Sequence, residues 1–92
     1  MDQWEERMTR RPEPEARLDL LETAWRLRTP RGRILTCAIY RTDTPGVEVR
    51  AGFSEDDLIR SQRSAEIGSA RDLAAEWKQA VIAKGGFTEL AG

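Results

Sequence analysis

Alternation is the strongest pattern along this chain. Val47-Glu48-Val49-Arg50-Ala51-Gly52-Phe53 places an apolar residue at nearly every second position, the period of a strand with one buried face. Just before it, Ile34-Leu35-Thr36-Cys37-Ala38-Ile39-Tyr40-Arg41 is rich in residues that suit a pleated sheet. Thr44-Pro45-Gly46 supplies the turn between the two runs, with glycine placed where a type II turn needs positive φ. Parity predicts a hairpin that buries Leu35, Cys37 and Ile39 with Val47, Val49, Ala51 and Phe53. Thr36, Ala38, Tyr40, Glu48 and Arg50 then share the opposite face.

The period changes near the C-terminus. Ala70, Leu73, Ala74, Trp77, Ala80 and Val81 follow helical spacing. Ser69 is a good N-cap and Asp72 occupies the reciprocal position. Lys84 and then Gly85-Gly86 close the segment, since glycine accepts the left-handed stop. The pattern predicts a helix over Ser69–Lys84, with Leu73 and Trp77 packed on the sheet.

The remaining segments carry weaker patterns. Residues 1–14 read as a flexible, charged tail in which Arg11-Pro12-Glu13-Pro14 disfavours regular structure. Trp4 and Met8 lie one helical turn apart, which suits either a docking segment or a frayed terminus. Residues 15–92 form the single expected domain. Glu15–Thr23 reads as a short helix, with Pro14 suited to its first turn. Leu18, Leu21 and Trp25 extend a helical stripe, while Trp25-Arg26-Leu27-Arg28 alternates as a strand. A strand over residues 24–28, ending at the turn Thr29-Pro30-Arg31-Gly32, is the reading adopted. Ser54 and Asp57 resemble a capping box, but residues 58–64 are read as a strand that returns the chain before the last helix. The expected fold is therefore α+β. A three- or four-stranded antiparallel meander carries the C-terminal helix on one face, with a short N-terminal helix.

Composition narrows the functions. With 92 residues, one modest core is available. There is no histidine, which removes the commonest general base near neutral pH, the commonest zinc ligand and every imidazole-based triad. Cys37 is the sole cysteine, mid-strand on the apolar face, where a thiol behaves as a small hydrophobe. Glu55-Asp56-Asp57 lacks the spacing of a calcium loop and reads as a solvated turn. Gly85-Gly86 follows a helix, whereas phosphate loops precede one. No enzyme activity, cofactor or metal is expected. The absence of an apolar leader or long apolar run points to a cytoplasmic chain with no membrane partner.

Binding is what remains. Tyr40, Arg41, Arg50, Arg60 and Arg63 are the candidate surface. Arginine beside an exposed aromatic suits a protein interface, single-stranded nucleic acid, or an ordinary solvated face partly covered by the N-terminal helix. A net charge of −1 argues against a dedicated phosphate binder. A protein partner or self-association is the first expectation, and nucleic acid the alternative.

Three stretches carry a resemblance: Gly32–Arg41, Val47–Gly52 and Ala70–Trp77. Over about Trp25 to Phe87 the chain resembles a family of small alphaproteobacterial proteins with no assigned activity, so no functional residue follows from it. The layout alone, antiparallel strands followed by one helix, also resembles certain plant DNA-binding domains and the arm-binding domains of phage-type integrases. That likeness implies the nucleic-acid alternative, and the acidic balance of this chain departs from it.

Overall fold

The computed structural model describes residues 19–42, 44–54 and 56–90. Four strands run as an antiparallel meander: β1 (Asp19–Arg28), β2 (Ile34–Arg41), β3 (Val47–Ser54) and β4 (Asp57–Ser64). A helix, α1 (Ile67–Ile82), crosses one face, and a two-residue strand, β5 (Thr88–Glu89), pairs with β1. The sheet is five-stranded in the order β4-β3-β2-β1-β5. The sequence missed β5 because two residues carry no period to read. It is held instead by pairing of Leu27 with Glu89 and Arg28 with Thr88.

The expected N-terminal helix is corrected where it can be seen. Residues 19–23 belong to β1, paired with β2 through Asp19–Arg41, Leu20–Tyr40, Glu22–Ile39 and Thr23–Ala38. Residues 15–18, like the tail with Trp4 and Met8, lie outside the described residues. The helical spacing has a physical source. Register shifts at Leu21 and Ala24 insert an extra residue twice, and a bulge changes the local period from two to three. Glu22 and Trp25 thus reach the same face three positions apart. The strands expected at residues 24–28 and 58–64 are present, the first as part of a longer β1.

The central hairpin follows the predicted parity. Cys37 stands opposite Ala51, and Ile39 opposite Val49. Gly46 in its turn has φ 94°, and a Cβ there would meet the Ser64 carbonyl oxygen at 2.7 Å, so only glycine fits. Gly52 is required for a different reason: a Cβ would lie 2.6 Å from the Asp57 carbonyl oxygen and 2.8 Å from Leu58 Cα.

The helix begins earlier than its side chains advertise. Its N-cap is Glu66, in extended conformation with no side-chain cap bond, and Ser69 and Asp72 lie inside it. Ala70 N–H donates to the Glu66 carbonyl at 3.1 Å. Ile67 packs against the core, and that burial outweighs the capping preference of Ser69. The helix ends at Ile82, before Lys84, and Gly85 and Gly86 follow with φ 89° and 82°.

Eleven buried residues form one core: Trp25, Leu27, Leu35, Cys37, Ile39, Val47, Val49, Ala51, Ala70, Ala74 and Trp77. Phe53 and Leu73, expected within it, are partly buried against its margin. Ala70 and Ala74 let the helix approach the sheet closely. Trp25 Nε1–H donates to the Ala74 carbonyl at 2.8 Å, a buried link between β1 and α1. The Arg71 guanidinium grips Glu22 through Nε, at 3.0 Å to Oε2, and Nη2, at 2.8 Å to Oε1. That hydrogen bonding holds the Glu22 carboxyl below its usual range and raises Arg71.

Trp77 is 4% exposed and fills the space between α1 and the β3 side of the sheet. Replacing Trp77 with alanine is expected to cost about 3–5 kcal/mol, from lost burial and the cavity left behind. Chemical denaturation of the variant measures it. A loss within experimental error would show that Trp77 does not anchor the helix.

Candidate functional site

The sheet face away from α1 is built from three rows of paired residues. Leu20, Tyr40, Glu48 and Arg63 form the first, Thr23, Ala38, Arg50 and Ser61 the second, and Arg26, Thr36, Gly52 and Leu58 the third. Among the described residues no element packs on this face. Its centre is nevertheless close-packed, because Ala38 is 3% exposed between its longer neighbours.

The five candidate residues do not share one surface. Tyr40, Arg50 and Arg63 lie on this open face. The Arg50 guanidinium stands 5.9 Å from the Tyr40 ring centre and donates to Glu48 at 3.2 Å. Arg63 is turned toward its own chain, donating to the Pro45 carbonyl and to Thr42 Oγ1. Arg41, opposite Val47, and Arg60, opposite Ala51, have the parity of the helix-bearing face. Arg60 covers Trp77 with its guanidinium 4.6 Å from the ring centre, inside cation–π range.

The electrostatics of the open face are mixed. Glu48 sits beside Tyr40 on one strand and Arg63 on the other, and it forms an ion pair with Arg50. A carboxylate at that position repels phosphate and satisfies the nearest guanidinium. Among the described residues no group of three acidic, cysteine or histidine side chains is arranged to hold a metal ion. Nor is any helix long and apolar enough to cross a membrane.

A feature outside the expected site is the edge of the sheet. Among the described residues, β4 is paired only on its β3 side. Seven of its eight residues are exposed, including Leu58 at 39% and Ile59 at 58%. The other edge is the two-residue β5. The signal was present in the chain order, since the last strand of a meander has one free side. Exposure of Leu58 and Ile59 is not legible from the pattern, because two adjacent apolar residues in a short run carry no period that separates buried from free.

Compared with protein-family models, characterised proteins and solved structures, the chain has no significant match.

Cys37 lies at the opposite extreme of accessibility. It is fully buried, and burial pushes its thiol up to about 12. The folded state therefore holds the neutral thiol, while the unfolded chain ionises near the ordinary value of 9.0. Stability from this group is present below pH 9 and is lost as pH rises toward about 12. Over that window the native protein is expected to lose stability more steeply than Cys37→Ala, by up to about 1.4 kcal/mol per pH unit. Denaturation curves for both across the alkaline range measure the difference. Parallel slopes would place the thiol in contact with water. Labelling with a thiol reagent is expected to be slow before unfolding and fast after it.

Proposed function

We propose that this is a non-enzymatic binding domain that recruits an extended partner strand, from a second copy or another protein, along the open edge of β4. The observation that carries this reading is the length and exposure of that edge. Eight residues present one side of their backbone unpaired. Their amides and carbonyls are a template for another strand. Natural sheets blunt such edges with proline, charge, bulges or short length. β4 has a bulge near its start, beside Gly52, and of its arginines Arg63 is engaged by its own chain and Arg60 lies over Trp77. β4 contains no proline, and exposed Leu58 and Ile59 follow its first residue, Asp57. A partner strand gains main-chain hydrogen bonds along the edge and apolar contact at its start. A cytoplasmic setting, and the alphaproteobacterial source implied by the resemblance, are parts of the same reading.

The nucleic-acid alternative rests on Arg26, Arg50 and the half-buried Tyr40 on the open face. It is the weaker reading because Arg50 is paired with Glu48 and Arg63 is engaged by its own turn. Binding to generic single-stranded DNA is expected to be weak and to vanish with added salt. Fluorescence anisotropy checks this. Tight binding at physiological salt, lost in Arg50→Glu, would reverse the order of the two readings.

The edge itself is tested with two proline variants. Adjacent residues of a strand point their amides in opposite directions. Of Ser61 and Gln62, one amide therefore faces β3 and the other faces away. Ser61→Pro and Gln62→Pro are each made, and thermal melting identifies the one that leaves the fold intact. That variant is expected to abolish concentration-dependent association in light scattering, or capture of a partner, while melting like the parent. Association unchanged in both variants would remove β4 as the interface.

A further inference from the structure

Between the C-terminal half of α1 and the β3–β4 side of the sheet lies a groove of about 340 Å³, within the size range of small-molecule sites. Ile59 and Arg60 of β4 contribute to its wall, so it adjoins the edge strand. Four aromatic residues, Trp25, Phe53, Trp77 and Phe87, contribute to its walls. The rest of the lining is aliphatic, apart from Thr29 and two cations, Arg60 and Lys84. Among the described residues no carboxylate lines it.

The charge pattern is informative. The described ion pairs engage Arg33, Arg50, Arg71 and Lys78. Arg60 and Lys84 take part in none of them, and both are exposed. An aromatic and aliphatic trough whose rim carries positive charge with no acidic partner among the described residues is complementary to an apolar body with a single anionic head. A water occupies about 30 Å³ of liquid volume and a methylene takes similar space, so the groove holds on the order of ten such groups.

We infer that this groove binds a medium-chain carboxylate, with its hydrocarbon against Trp25, Trp77 and Phe87 and its carboxylate on Arg60 and Lys84. Arg60 is the principal anchor. Its planar guanidinium suits two parallel hydrogen bonds to a carboxylate. It is also held in place over the Trp77 ring. Lys84 follows the C-terminal end of α1, where the helix dipole carries partial negative charge and weakens attraction for an anion. The reading does not depend on strand recruitment by β4.

The test is isothermal calorimetry on the full chain with decanoate, each probe kept below its micelle concentration. Decanol and decyltrimethylammonium serve as neutral and cationic matches. Decanoate is expected to bind at one site, with decanol weaker by about tenfold, the loss of one charged contact, and the cation not detectable. Arg60→Gln is expected to weaken decanoate by about tenfold and Lys84→Gln by less, with decanol unchanged in both. Ala80→Phe, on an exposed part of the groove lining, is expected to abolish binding of decanoate and decanol while leaving the thermal melt unchanged. Absence of decanoate binding overturns the inference, as does equal affinity for all three probes. A ligand-free dimer that Ala80→Phe dissociates, while the tolerated β4 proline variant does not, would assign the groove to a second copy and also overturn it.

Discussion

One helix has to close the core of a wide sheet, and the way it is seated decides the rest of the molecule. Ala70 and Ala74 bring α1 close over the central strands, and the Trp25 indole ties it to β1 through the Ala74 carbonyl. Trp77 reaches outward to the β3 side and is 4% exposed there. Close approach at small residues maximises contact where the two layers touch. It also means that one helix cannot cover both ends of the sheet. The cover is complete over Cys37, Ile39 and Val49, all fully buried, and thins toward β4.

The surfaces available for binding follow from that seating. β4 receives little cover and keeps a free edge, with Leu58 and Ile59 in solvent. The groove opens where α1 runs on through Ala80 and Val81 past the end of its close contact. Arg60 belongs to both places, since its backbone lies in the edge strand and its guanidinium roofs Trp77. The opposite sheet face is handled differently. Its centre is packed flat by Ala38, and Glu48 and Arg50 on it form an ion pair. Among the described residues no layer covers it, and an antiparallel sheet can present one side to water.

Exposed ion pairs contribute modestly here. Arg33 with Asp57 and Arg71 with Glu22 join distant elements, but their side chains are a third or more exposed, and such pairs are screened. Among the described residues only the Glu22–Arg71 bridge links α1 directly to β1 on the surface, beside the buried indole bond. Its contribution lies above the usual carboxylate range and falls away as acid protonates Glu22 below it. Stability rests on the apolar cluster, and the bridge fixes the orientation of the first half of the helix.

The sequence alone determined the elements that carry a strong period. Alternation in Val47–Phe53 named the buried face of the central hairpin, and helical spacing from Ala70 to Val81 named the face of α1 that docks. The absence of histidine excluded imidazole chemistry before any geometry was known. Tertiary structure decided what local pattern could not. Bulges at Leu21 and Ala24 gave a strand the spacing of a helix, and only pairing with β2 resolves it. Ile67 moved the helix start because its burial is a long-range contact, whereas Ser69 advertises only a local one. β5 exists solely through its two pairs with β1. The candidate arginines diverged to opposite faces because side chains alternate along a strand, and in β4 only pairing with β3 set which face each took: Arg60 stands opposite Ala51 and Arg63 opposite Glu48. A free edge and an incompletely covered groove are properties of layers meeting in space, so no single stretch of chain encodes them.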